Sequence, residues 1–119
     1  MDFPEQLARL DHAVALDRLG GDVELLRECA QLFLSEYPGL LDSIKEAVSA
    51  RDSQALQRAA HTMKGAVANF GAKDAYEAAY ELESMGRRND LADVDAACET
   101  LVRVMSEIHP ALVDLATAA

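Results

Sequence analysis

The sequence predicts an all-α fold, an antiparallel four-helix bundle with an N-terminal helical cover, and three observations carry that expectation. Toward the C-terminus Leu91, Val94, Cys98, Leu101, Met105, Ile108, Leu112 and Leu115 recur at alternating spacings of 3 and 4, the heptad signature of a left-handed bundle seam. Half of the residues are hydrophobic, yet only 5% are aromatic and none is tryptophan. Alanine and leucine dominate, which suits packed helices better than sheets. The breaks between helical stripes are short, and helices joined by tight turns pack as antiparallel neighbours. A solitary coiled coil is the alternative for the last segment, but several other helices offer faces to pack against it. Residues 1–119 are accordingly read as one domain with a single core.

Taken in order, Phe3, Leu7, Leu10 and Val14 repeat at spacings of 4, 3 and 4, a helical stripe with Pro4 suited to its first turn. Asp11 could instead cap a second short helix running to Leu19, and the residues leave one helix or two open. Gly20-Gly21 ends this segment, and Asp22 is placed to cap the next helix. There Leu26, Ala30, Phe33, Tyr37, Leu40, Ile44 and Ala47 keep one face in register across Pro38. A proline inside a helix removes a hydrogen bond, so a kink or short break is expected at Tyr37-Pro38. Leu25 and Leu32 widen this face. Packing on the N-terminal segment is expected for them, with an exposed docking surface as the sharper alternative.

Asp52 or Ser53 caps the third helix, which ends at Gly71, a residue suited to a left-handed C-terminal position. The fourth runs from Lys73 to about Met85. Gly86-Arg87-Arg88-Asn89-Asp90 is read as a loop, with Arg87 and Arg88 complementing the helix dipole. The fifth begins at Leu91, and Pro110, off its seam, is expected to bend it.

A formal charge of −10 and a pI near 4.6 disfavour direct binding to nucleic acid or to an anionic membrane surface. Basic or electrically mixed protein partners are favoured. Met1-Asp2-Phe3-Pro4-Glu5 lacks the apolar core of a signal peptide, no apolar run approaches the ~18 residues of a membrane span, and a cytoplasmic location is expected. Cys29 and Cys98 fall in apolar stripes without CxxC spacing, so reduced, buried thiols are expected. No Glu-x-x-His occurs, which argues against a di-metal bundle site, and no metal ligands are assigned. His12 and His109 are read as solvated or half-packed side chains.

The stretch that carries chemistry is Ala59-Ala60-His61-Thr62-Met63-Lys64-Gly65-Ala66-Val67-Ala68-Asn69-Phe70-Gly71-Ala72. At roughly 100° per residue, Leu56, Ala59, Ala60, Met63, Val67 and Phe70 share one face of a helix, and His61 points roughly 150° away into solvent. Lys64 and Gly65 stand one turn after His61 and Gln57 one turn before it, on the same exposed patch. A mid-helix glycine costs about 1 kcal/mol relative to alanine. Beside an exposed imidazole it leaves a clearing where another macromolecule can approach. An imidazole with a pKa near 6.5 is largely neutral and nucleophilic at cytoplasmic pH, and can attack phosphorus and hold a phosphoryl group covalently. Lys64 supplies positive charge for the transferred oxygens, and Gln57 can donate a hydrogen bond or orient the ring. Thr62 lies well round the helix and is read as a surface residue. No Walker-type G-x-x-x-x-G-K-[ST], kinase catalytic-loop pattern or glycine-rich nucleotide fingerprint is present, so no ATP site is expected.

His61-Thr62-Met63-Lys64-Gly65, followed by Asn69-Phe70-Gly71-Ala72, resembles the signature of histidine-containing phosphotransfer (HPt) domains, close to H-x-L-K-G-x-x-x-x-x-G-A on a helix of a four-helix bundle. Leu19-Gly20-Gly21-Asp22 and the acidic, leucine-rich sequence after it are also similar to that family. The resemblance reaches from about Asp11 to the C-terminus. It implies a phosphoryl carrier of two-component phosphorelays rather than an enzyme. His61 would be the phosphoacceptor, Lys64 the phosphate partner and Gly65 the residue whose small size admits a receiver domain. The implied partners are response-regulator receiver domains and a hybrid histidine kinase, with the magnesium carried by the receiver and no cofactor on this chain. Ala68, Leu25 and Leu32 are candidate docking positions, and a monomer is expected. Met63 stands where leucine is commoner, and Ala66 and Val67 where small polar residues are frequent. Val67 is assigned to the core and Ala66 to its edge. Two alternatives remain: a phosphoacceptor domain phosphorylated in trans by a histidine kinase, and a non-catalytic helical adaptor.

Overall fold

Five helices follow one another in the computed structural model, which describes residues 9–117: α1 (His12–Arg18), α2 (Val23–Ala50), α3 (Ser53–Ala68), α4 (Lys73–Arg88) and α5 (Val94–Thr117). Their starts are set by short acidic side chains. Asp11, Asp22 and Asp52 accept hydrogen bonds from the backbone N–H of Val14, Leu25 and Ala55 at 3.1, 3.0 and 3.1 Å, satisfying donors that a helix start leaves unpaired. Asp11 therefore caps a short helix of its own; Phe3, Pro4 and Leu7, which carry the rest of that stripe, lie outside the described residues.

Helices α2 to α5 form the bundle, each packed on the next and α5 closing on α2. Tight turns at residues 51–52 and 69–72 leave no room for anything but antiparallel neighbours. The core is contributed by all four, with Ile44, Leu56, Met63, Val67, Leu82, Val94, Leu101, Met105, Ile108 and Leu112 fully enclosed. Every seam residue of α5 from Val94 to Leu115 is buried, as the heptad spacing requires. Burial of one such Leu or Ile contributes about 1.5–3 kcal/mol. The short helix α1 covers the bundle. Its cap residue Asp11 donates its N–H to the Phe70 carbonyl at 3.1 Å. At Gly71, φ is +62° and a Cβ would lie 2.7 Å from that of Asp11, so only glycine satisfies both the left-handed turn and the contact.

The element boundaries depart from expectation in three places. Helix α2 runs unbroken through Pro38, which occupies its exposed face. The carbonyl left without a partner there can be hydrated, while Phe33, Tyr37, Leu41 and Ile44 stay buried on either side and hold the helix together. The core position after Tyr37 is Leu41, with Leu40 half-buried. Helix α5, which contains Pro110, begins at Val94 rather than Leu91, and Leu91 is half-buried in the turn before it. Helix α4 continues through Gly86 to Arg88 and ends only at Asn89, whose φ of 52° is left-handed. Gly86 is not a loop residue. It is buried against α3, where a Cβ would meet the Ser53 carbonyl oxygen at 2.7 Å and the Gln57 nitrogen at 2.8 Å. That missing side chain lets the two backbones approach closely at the level of the candidate site.

Candidate functional site

His61 lies on the outer face of α3 with its side chain 66% exposed, opposite the buried Leu56, Ala60, Met63 and Val67. The ring is not merely solvated. Its Nδ1 is 2.7 Å from Oε2 of Glu83 on α4. Glu83 is only 4% exposed, a carboxylate set among Ala79, Leu82 and Met85. An ionised carboxylate can only accept, so in the neutral ring Nδ1 carries the proton and Nε2 keeps the lone pair.

Lys64 departs from the exposed cation that its spacing predicts. Its side chain is 17% exposed, and Nζ sits 2.7 Å from Oε1 of Glu83, with the Tyr80 and Tyr76 rings at 5.3 and 5.9 Å. The aliphatic stem folds onto α4 and the ammonium finds a carboxylate and two π faces there, which stabilise it more than open solvent. Nζ and Oε1 form a short ion pair. Arg87 has a contact beyond the helix dipole. It lies in the last turn of α4, where its guanidinium is 3.3 Å from Oε2 of Glu83.

Burial pushes the Glu83 carboxyl up, but contacts with Lys64 and His61 outweigh it and hold the group below the usual carboxylate range. The contact with Glu83 in turn raises the Lys64 ammonium above its ordinary value, against the opposing effect of desolvation.

The remaining candidates divide. A Cβ at Gly65 would have no heavy atom within 4 Å, so the ground one turn beyond His61 is open. Gln57 is half-buried and lines, with Arg58, His61, Thr62 and Glu83, a surface cleft of about 570 Å³. Ala68 is half-buried beside Val14, Ala72 and Tyr76 in a second, mostly apolar depression. Leu25 and Leu32 are 41% and 59% exposed; they do not pack under the described N-terminal residues. Thr62 is a surface residue whose hydroxyl donates to the Arg58 carbonyl. His12 and His109 are both exposed, the latter with Nδ1 hydrogen-bonded to the Tyr37 hydroxyl and its ring edge-on to the Tyr37 ring. Cys98 is buried, Cys29 half-buried, and both are free thiols.

Glu83 escaped the sequence reading, although a signal exists. It is four residues after Ala79 and three before Gly86, hence on the buried face of α4. A carboxylate there demands a partner, and only the register of α3 against α4 reveals that Lys64 and His61 supply it.

Among known proteins, the family model of the Hpt domain matches residues 28–115. The crystal structure of histidine-containing phosphotransfer protein B (HptB) from Pseudomonas aeruginosa PAO1 superimposes with a TM-score of 0.84 at 25% identity, over 92% of this chain and 96% of that one. No curated protein matches the chain. A family match over most of the sequence, together with the shared bundle, places this chain in the family of histidine-containing phosphotransfer (Hpt) domains.

Proposed function

We propose that this chain is a phosphoryl carrier of a two-component phosphorelay, taking a phosphoryl group onto Nε2 of His61 from a receiver-domain aspartate and passing it to a second receiver. The observation that carries this reading is the exposed ring with Nδ1 bonded to a buried carboxylate and open ground at Gly65. A nucleophile held in one tautomer needs no further activation to attack an acyl phosphate, but it needs a partner that can reach it. In the forward step Nε2 forms a bond to phosphorus, the acyl oxygen leaves as the receiver's carboxylate, and the Nδ1 proton stays in place.

Lys64, Arg87 and Gln57 ring the acceptor. Lys64 contributes a fixed positive field more than a free hand, because it stays tethered to Glu83. The half-exposed Arg87 fork can turn toward phosphoryl oxygens. Magnesium belongs to the receiver in this scheme, and the chain acts as carrier rather than enzyme. Val14, Leu25, Leu32, Ala68 and Tyr76 offer partly exposed apolar area for docking. That same area favours a second reading, a helical adaptor that binds without transfer.

The two separate on one variant. His61→Gln should abolish labelling by a phosphorylated receiver while the helical circular-dichroism signal persists. Labelling of the variant at the wild-type rate would refute His61 as acceptor. Receiver binding without label in the wild type would favour the adaptor.

A further inference from the structure

A phosphoryl group on His61 brings a charge of about −2 to the surface of α3. Lys64 and Arg87 both contact Glu83, and turning fully to the phosphate would cost that pairing. The ring is also aimed by Glu83, which lies against Nδ1. The two nitrogens of an imidazole point apart, so Nε2 and the group it carries face away from α4. A phosphoryl group there stands toward the opposite flank of α3, and that flank carries Arg58.

We infer that Arg58 is a further catalytic residue of this site, its guanidinium gripping the oxygens of the phosphoryl group as it passes to and from Nε2 of His61. This rests on the phosphoryl-carrier reading. Residues 58, 61 and 64 stand at successive spacings of three, so Arg58 and Lys64 flank the ring, each about 60° round the helix from it. Lys64 is on the side of α4, where Glu83 holds it. Arg58 is on the other side, and it lines the same cleft of about 570 Å³ as His61. Its side chain is exposed, and among the described residues no carboxylate pairs with it. Nor does its own helix offer one. The positions one turn away are Gln54, Ala55, His61 and Thr62, and none of the chain's 21 Asp and Glu residues lies within 53–73. Thr62 takes only the Arg58 carbonyl, which leaves the guanidinium to the cleft.

Arginine suits this task because its planar fork donates two parallel N–H bonds to two oxygens and stays charged at every relevant pH. Inward, Nε2–P forms, the receiver's acyl O–P bond breaks with its electron pair passing to the carboxylate, and Arg58 holds two non-bridging oxygens. Outward, the same oxygens are held while Nε2–P breaks and a new acyl O–P bond forms on the second receiver. Arg58 neither gains nor loses a proton in either half. Charge spreads over those oxygens in the transition state, so a cation seated on them lowers the barrier in both directions.

The experiment compares the wild type with Arg58→Ala, an exposed substitution that favours the helix and should leave its circular-dichroism signal intact. Single-turnover labelling by a phosphorylated receiver, run over a range of receiver concentrations, separates docking from transfer. The limiting rate at saturating receiver should fall about tenfold in the variant. A docking residue would instead raise the half-saturating concentration and leave the limiting rate alone. Labelling by phosphoramidate gives a second readout, because this small donor brings a phosphoryl group and no protein surface; its P–N bond breaks and ammonia leaves. That rate should also fall about tenfold. An unchanged rate in either assay, the limiting rate with the receiver or the rate with phosphoramidate, would overturn the inference. Absence of receiver-derived label on His61 in the wild type overturns the carrier reading and the inference with it, a result distinguishable from wild type and variant labelled equally fast.

Discussion

Two glycines of the α3–α4 pair should respond to the same substitution with opposite signs. Gly65 and Gly86 both lie inside helices, so replacement by alanine gains about 0.5–1 kcal/mol of helix propensity at either position. At Gly65 the new methyl meets nothing within 4 Å, and the gain stands alone. At Gly86 it would lie 2.7 Å from the Ser53 carbonyl oxygen, 2.8 Å from the Gln57 nitrogen and 3.1 Å from the Gln57 Cα. All three are backbone atoms and cannot turn aside. The helices must part by roughly half an ångström or more, and overpacking of this kind costs about 1–3 kcal/mol. Gly86→Ala should therefore be destabilised by up to about 2 kcal/mol and Gly65→Ala stabilised by up to about 1 kcal/mol. With a urea m-value of about 1–3 kcal/mol/M, the two midpoints should differ by roughly 1 M. Parting the helices also lengthens the Glu83–His61 contact that spans them, so Gly86→Ala should slow phosphoryl transfer although Gly86 touches neither residue. Equal midpoints, or a more stable Gly86 variant, would refute the close-approach argument.

The other predictions use the same pair of helices. Gly65→Gln fills the clearing, so labelling by a receiver should drop at least tenfold while urea stability holds or rises; retained transfer would show that the open ground is not the route of approach. Lys64→Ala should leave the helical signal intact and slow transfer or shorten the lifetime of the phosphohistidine, and unchanged kinetics would remove it from the site. Glu83→Gln should lower stability at neutral pH by about 1–2 kcal/mol. Because the folded carboxyl is held below the usual range, its charged contribution is complete above the unfolded value near 4.3 and disappears as pH falls through the folded value. Wild-type and variant urea midpoints should thus converge in acid, and a gap that persists there would mean that packing, not charge, is lost.

Much of this architecture is legible in the sequence because it is periodic. The α5 seam, the Asp22 and Asp52 caps and the glycine stop after α3 are local features, and local features survive folding unchanged. The exposed face bearing His61 and Gly65 follows from helix geometry alone. Propensity points to a possible break at Pro38 and a loop at Gly86, whereas tertiary packing decides otherwise: buried neighbours carry α2 through the proline without a break, and contact with α3 makes the glycine a requirement of α4. The contacts of Lys64 and Arg87 with Glu83 are hidden for a related reason. Their partner Glu83 is on another part of the chain from Lys64, and the register that brings 61, 64 and 83 together is a property of the packed pair. Buried charge is the signal that periodicity reading passes over.

The most direct test of the carrier account is to incubate the protein with phosphorylated receiver domains, then treat with acid and alkali and map the label by mass. The account predicts acid-labile, alkali-stable phosphate on the peptide that contains His61. A folded protein that binds a phosphorylated receiver and acquires no such label, or acquires it on another residue, would contradict it.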